Sequence, residues 1–292
     1  MRRLIDRGVA GRYYFSDVPF LGLWGAKYTP ISRAIDMFYQ DCAAGTLPAV
    51  SFVDGPFLTE LTGTGVDDHP HGDIRAGEAM MNRIYTAVTQ SPAWRSTVLV
   101  INFDEWGGFF DHVPPPVAPI PPADQAAGNA DGRLGFRTPT LLVSPFALRT
   151  HTSHVVYDHT SVLRMIEWRW GLDPLTVRDA TANNLADELD FTQVDPAPPP
   201  VYSVPAVTGA VCPPRLPGLA APALRRPPTT RAGRSGRTRW VSSHCVASRS
   251  APPAATMTAT VSGDEVTASA GPTRSIAVSK SRATSFQNPW NA

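Results

Sequence analysis

The stretch Thr97-Val-Leu-Val-Ile-Asn-Phe-Asp-Glu-Trp-Gly-Gly-Phe-Phe-Asp-His-Val-Pro-Pro-Pro116 decides the fold class and marks where chemistry belongs. Its first seven residues form a short apolar run, rich in β-branched side chains and without polar alternation. That is the pattern of an interior strand in a mostly parallel sheet. Asp104 and Glu105 follow at the carboxyl end of the run. In open α/β sheets ligands gather in the crevice beyond the carboxyl ends of strands, so the position of these acids matters as much as their type. Neighbouring side chains on a strand point to opposite faces, and Gly107-Gly108 permits the turn that lets two adjacent acids converge. Two hard oxygen donors suit a divalent cation, which can polarise a phosphoryl or carbonyl oxygen. For the acid pair alone, a solvated loop with Asp104 as a cap is the plainer alternative.

Outward from this run the chain alternates strand and helix. Residues 48–53 and 138–144 are strand-like, and residues 31–44, 73–90 and 161–171 are helical. In the second helix Ile74, Met81, Ile84 and Val88 recur at spacings of seven, three and four, which predicts one buried stripe. Such alternation argues for α/β layering around a parallel sheet with flanking helices. Residues 114–136, with their prolines and an Ala-Ala-Gly-Asn-Ala-Asp-Gly run, read as a surface loop beside the acids.

Charge divides the chain in two. Residues 1–194 carry 22 Asp and Glu against 15 Lys and Arg, whereas residues 195–292 carry 3 against 11, and the two parts average to a net charge of +1. The second part is rich in Pro, Arg, Ser and Ala without apolar periodicity, so residues 1–194 are expected to form the folded body and residues 195–292 a largely disordered tail. A small strand-bearing remnant around residues 256–281 is a weaker possibility. Only two of the 26 bases are lysine, Lys27 and Lys280, which fits a GC-rich coding sequence in which a shifted frame would yield such a tail. The basic charges are scattered, so no nucleic-acid partner is expected.

Three cysteines give neither metal spacing nor a disulfide framework, and Cys42 reads as a small buried residue in a helix. No apolar run is long enough to span a bilayer, and Met-Arg-Arg-Leu-Ile-Asp-Arg-Gly8 has no apolar segment behind its arginines. The expectation is a chain without a transmembrane segment or secretory leader, cytoplasmic as it stands.

Three further segments carry candidate site residues. Asp67-Asp-His-Pro-His71 lies just before a predicted helix, where backbone N–H groups favour anions, and His69 there could protonate a leaving alkoxide. Asp111-His112 could supply a ligand or an oriented imidazole, or simply steady the proline turn. Tyr157-Asp-His-Thr-Ser161 precedes another helix, which Asp158 is expected to cap, with His159 as a secondary candidate. His151 and His154 read as surface residues, and Trp168 and Trp170 as core.

The motif from Phe103 to Pro116 resembles the signature of the bacterial phosphoesterase family that includes phosphatidylcholine-type phospholipases C and related acid phosphatases. Further similar segments follow in order: Arg12-Tyr-Tyr-Phe-Ser-Asp17, Gly45-Thr-Leu-Pro-Ala-Val-Ser-Phe-Val-Asp54, Asp68-His-Pro-His71 and Tyr157-Asp-His-Thr-Ser161. The resemblance covers roughly residues 2–195. It implies an alkaline-phosphatase-like α/β fold, hydrolysis of phosphate esters or phospholipids, a divalent metal ion of unknown identity held partly by Asp104 and Glu105, and site histidines at His69 and His159; His112 stays a catalytic candidate from its own place after the Gly-Gly turn. Members of that family are typically exported. Their amino-terminal segment, with an Asn-Arg-Ser-Phe-Asp-like motif and the Ser or Thr nucleophile, has no counterpart in this sequence, and Ser16 does not correspond to that nucleophile. A sheet lacking its first strands and exposing apolar edges is therefore expected, and a catalytically silent fragment, an interaction module, an acid phosphatase or a sulfatase stand as alternatives.

Overall fold

The computed structural model describes residues 1–56, 58, 64–69, 72–106, 110–204 and 257–263. In chain order the elements are α1 (Arg2–Asp6), β1 (Gly11–Phe15), β2 (Ser32–Ala34), α2 (Ile35–Ala44), β3 (Val50–Asp54), α3 (Ile74–Thr89), β4 (Thr97–Phe103), α4 (Pro122–Ala126), β5 (Thr140–Val143), α5 (Thr160–Trp170), α6 (Val177–Thr181) and β6 (Met257–Gly263). Two 3-10 segments, Phe20–Trp24 and Ala26–Ile31, lie between β1 and β2.

The six strands form one sheet in the order β2-β1-β3-β6-β4-β5. β1 pairs in parallel with β2 and β3, while β6 runs antiparallel to both β3 and β4. β4 therefore points the same way as β1, β2 and β3, while β5 runs antiparallel to it. Four of the six strands share one direction, with parallel pairing in the β2-β1-β3 part and helices on the flanks. Successive residues of β4 explain the layering: Leu99 and Ile101 face a core built with α2 and α3, and Val100 faces a second core with α5. Both faces are covered, which is why this strand needs apolar side chains without alternation. Phe38, Met80, Ile84 and Val88 fill the first core and Val162, Met165 and Ile166 the second, all buried.

The strand predicted at residues 97–103 forms with those bounds, and α3 and α5 fall within a residue of their predicted ends. Three expectations change. Ile74 is 59% exposed, because it is the first residue of α3, where the chain still turns away from the core; Met80 takes the buried place instead. The predicted helix from residue 31 begins at Ile35, since Ser32–Ala34 pair with Tyr13–Phe15 as a strand. Residues 257–263, within the segment where the sequence makes a strand-bearing remnant the weaker possibility, form β6 between β3 and β4: Asp54 and Asn102 stand opposite the same residue, Thr258.

Helix ends follow from local chemistry. Asp73 caps α3 by accepting from the Arg75 N–H at 3.1 Å, and α2 ends at Gly45 with φ 69°, a left-handed cap that suits glycine. The quoted Arg12-Tyr-Tyr segment proves to be β1 and has a structural duty. Arg12 and Tyr14 both donate to the Asp41 carboxylate of α2 at 2.6 Å, clamping strand to helix and holding that buried acid below its ordinary pKa against the effect of burial. Cys42 is buried, and Trp168 and Trp170 pack against the second core. In the long loop, Val117 and Arg133 form a bridge around the short α4. The segment after residue 195 passes Trp94, which donates to the Ala197 carbonyl at 3.4 Å, and reaches α3, where Tyr85 donates to the Pro200 carbonyl at 3.0 Å and Asn82 to that of Tyr202 at 3.1 Å. The rest of the basic tail, apart from β6, lies outside the described residues.

Candidate active site

Because β1, β3 and β4 run in one direction, their carboxyl ends open on one end of the sheet, and each delivers an acid there. Asp17 lies two residues beyond β1, Asp54 closes β3, and Asp104 follows β4 directly. Asp54 is 4% exposed and accepts a hydrogen bond from the Tyr13 hydroxyl. Burial pushes its carboxyl up to about 6, the charges of Asp104 and Asp17 add to the rise, and the Tyr13 hydrogen bond opposes it. Asp104 is exposed. Beside it Glu105 has one oxygen, Oε2, that is buried without a hydrogen-bond partner. Burial raises the Glu105 pKa and the Asp104 charge adds to the effect, while His69 pulls it back down.

That last influence puts His69 within electrostatic reach of Glu105. His69 is 6% exposed, and the loop carrying it is built by wedging acids between β3 and α3. Its N–H contacts the Asp67 carboxylate at 3.4 Å, and Asp67 lies against Gly55 just beyond β3. Asp68 takes a left-handed φ of 66° and presses on α3 at Gly77, where a Cβ would stand 1.9 Å from its Oδ1. Burial pushes Asp68 up to about 6, helped by Glu78 and Asp67. Only glycine at position 77 allows this approach.

His159 also reaches this end. Its Nε2 lies 3.0 Å from the carbonyl oxygen of Phe103, the residue before Asp104. Asp158 serves the helix, as expected, by accepting from the Thr160 N–H at 2.7 Å. The structure does not bring His112 to the acids. Its side chain is 84% exposed and pairs with Asp111 at 3.7 Å. Asp111 is itself gripped by Arg137 through two bonds of 2.7 and 2.8 Å, which hold its pKa far below the ordinary carboxylate range and pin the loop. His71 and the Gly107-Gly108 turn lie outside the described residues. His154 is exposed, whereas His151 meets Glu188 at 3.0 Å, and that acid also accepts from Ser153 and Tyr157.

Asp17, Asp54 and Tyr13 were not singled out from the sequence. The usable signal was position: Asp54 ends the strand-like run Ala49-Val-Ser-Phe-Val just as Asp104 ends its own. Chemically the crevice concentrates negative charge, keeps one buried carboxyl that gains a proton near pH 6, and sets an imidazole beside a partly unsatisfied glutamate. Oxygen donors of this kind suit a hard divalent cation. Among the described residues, however, no three His, Cys, Asp or Glu side chains are grouped to hold one ion.

Fold and site together define an α/β protein whose acids gather beyond the carboxyl ends of co-directional strands. Residues 23–173 match the phosphoesterase family, and the chain belongs to it. It is 35% identical over 204 residues to non-specific phospholipase C6 of Arabidopsis thaliana, covering 63% of this chain and 38% of that protein. Identity to phospholipase C B of Mycobacterium tuberculosis is 34% over 179 residues, covering 56% and 32%. For the hemolytic phospholipase C of Pseudomonas aeruginosa it is 32% over 189 residues, covering 57% and 24%. The chain thus spans about a third of the length of these relatives. Among the described residues no helix is long and apolar enough to cross a membrane.

Proposed function

We propose that this chain carries part of a phosphoester hydrolase of the phospholipase C type, with a phospholipid or simpler phosphate ester as substrate. The observation that carries the reading is the Asp104-Glu105 pair at the carboxyl end of β4, with Glu105 Oε2 buried and lacking a partner and buried His69 within electrostatic reach of it. In this reading Asp104 and Glu105 hold a divalent cation, which would polarise a phosphoryl oxygen. Asp54 keeps the crevice floor anionic or neutral according to pH, His69 gives a proton to the leaving alkoxide, and His159 fixes the backbone of the Asp104 turn through the Phe103 carbonyl. No described side chain is assigned as nucleophile; the Ser16 hydroxyl is engaged with the Asp54 carbonyl at 2.7 Å.

A second reading, a catalytically silent interaction module, draws on the lack of a three-ligand group among the described residues. A panel of chromogenic phosphate and sulfate esters, assayed with and without added divalent metal and with chelator, separates the readings. Metal-dependent turnover of a phosphate diester supports the first, and turnover of phosphate monoesters or sulfate esters alone moves the activity to phosphatase or sulfatase. No turnover under any metal supports the silent module.

A further inference from the structure

The run Pro196-Ala-Pro-Pro-Pro-Val-Tyr202 follows the folded body and ends against α3. Four of its first five residues are prolines, which lack an N–H, have a fixed φ and keep the residue before them extended. The one N–H among those five, that of Ala197, is taken by the Asp195 carboxylate at 3.1 Å. What these five residues still offer for hydrogen bonding is their carbonyl oxygens, and the body grips the run by its carbonyls. The Trp94 indole N–H donates to Ala197 at 3.4 Å, the Tyr85 hydroxyl to Pro200 at 3.0 Å and the Asn82 amide to Tyr202 at 3.1 Å. Residues 198–204 form neither helix nor strand.

The three donors belong to one surface. Asn82 and Tyr85 stand three residues apart on α3 and so share a face, and Tyr85 packs on the core that contains Trp94. The Tyr202 ring leans on that of Tyr85, centroids 5.8 Å apart. Two ring-borne donors meeting carbonyls three residues apart fit the repeat of a polyproline helix, which has three residues per turn and loses little entropy on docking. We propose that Asn82, Tyr85 and Trp94 form a recognition surface for an extended proline-rich peptide, and that residues 196–202 occupy it in this chain as a tethered competitor. The occupant defines the partner's chemistry: a Pro-x-Pro-Pro-Pro run with an aromatic residue two positions beyond it. The tether keeps the competitor at a roughly millimolar local concentration, which sets the threshold a free partner must exceed. This surface is independent of the phosphoester reading.

The test uses the full chain carrying Pro198→Gly/Pro199→Gly/Pro200→Gly, which keeps the carbonyls and removes their preorganisation, and a fluorescent peptide of residues 195–203 as the probe. Anisotropy should show the probe binding to this opened chain and about tenfold or more weaker to the natural one. Adding Asn82→Ala/Tyr85→Phe to the opened chain, at unchanged melting temperature, should weaken binding by about tenfold or more. A probe with the same three glycines should bind as weakly. No binding to the opened chain, equal binding by the glycine probe, or binding untouched by Asn82→Ala/Tyr85→Phe would each overturn the surface, and equal binding to the natural chain would overturn the competitor. A second measurement needs no opened chain: chymotryptic cleavage after Tyr202 should quicken by about tenfold in the full chain with Asn82→Ala/Tyr85→Phe, and an unchanged rate would overturn the docking.

Discussion

The phenol of Tyr13 donates a hydrogen bond to the carboxylate of Asp54, and both side chains are buried. This bond joins β1 to the acid that closes β3, so it couples the stability of the sheet to the charge state of the crevice. Replacing Tyr13 by Phe leaves the ring in place and deprives the acid of its donor. The expected cost is about 1–3 kcal/mol at pH 7, measured by urea unfolding, because a buried carboxylate is left undersatisfied. The cost should shrink below pH 5, where Asp54 is protonated in both variants.

Acids whose pKa burial raises make stability depend on pH, and Asp54 and Glu167 are the most buried of them. Asp54 is raised from 3.8 to about 6, and Glu167 from 4.5 to about 7, in both cases first by burial; Asp179 beside Glu167 takes the lowered partner's role. An acid with a raised folded pKa keeps its proton after the unfolded chain has released it, so its contribution is full below the ordinary value and is lost as pH climbs through the folded one. Stability attributable to these groups should therefore fall between about pH 4 and pH 7. Glu167→Gln, which retains a donor toward Asp179, should flatten that decline in melts recorded across the range. An unchanged slope would remove Glu167 from the account.

Asp68 and Gly77 form a steric pair whose coupling can be measured. Gly77→Ala should destabilise by about 1–3 kcal/mol despite the better helix propensity of alanine, because the new methyl meets the Asp68 carboxylate. In an Asp68→Gly background the same change should become neutral or stabilising, since the carboxylate and its strained φ are both gone. Chemical denaturation of the four chains tests this.

The place of β6 between β3 and β4 predicts a severe backbone effect. Thr260 stands opposite Phe52 on one side and Val100 on the other. Proline there removes an N–H from an interior strand, and Thr260→Pro should cost about 3 kcal/mol or more. If the melting temperature does not move, β6 does not contribute to the sheet.

What could be read from sequence followed the range of the interactions involved. β4 was legible because the unbroken apolar run Val98-Leu-Val-Ile101, closed by Phe103, leaves little choice but an interior strand, and α3 because its buried stripe repeats over four turns. β1 and β2 were not legible as strands: five and three residues, carrying Arg12, Ser32 and Arg33, give too short a pattern, and the bonds that tie β1 to α2 through Asp41 join residues far apart in sequence. β6 draws its place from partners some two hundred and one hundred and fifty residues away, which no local composition announces. At the site, Asp104, Glu105, His69 and His159 were visible from their motifs, whereas Asp54 and Asp17 needed the strand directions before they could be seen as neighbours.

The central claim is that the acids at the strand ends perform phosphoester chemistry, and Asp104 tests it most directly. The measurement is kcat/KM for a chromogenic phosphate diester in saturating divalent metal, for the natural chain and for Asp104→Asn, with folding verified by identical melts. The account predicts a loss of about a hundredfold or more on removing that charge. Turnover by the natural chain that is undiminished in Asp104→Asn would contradict it.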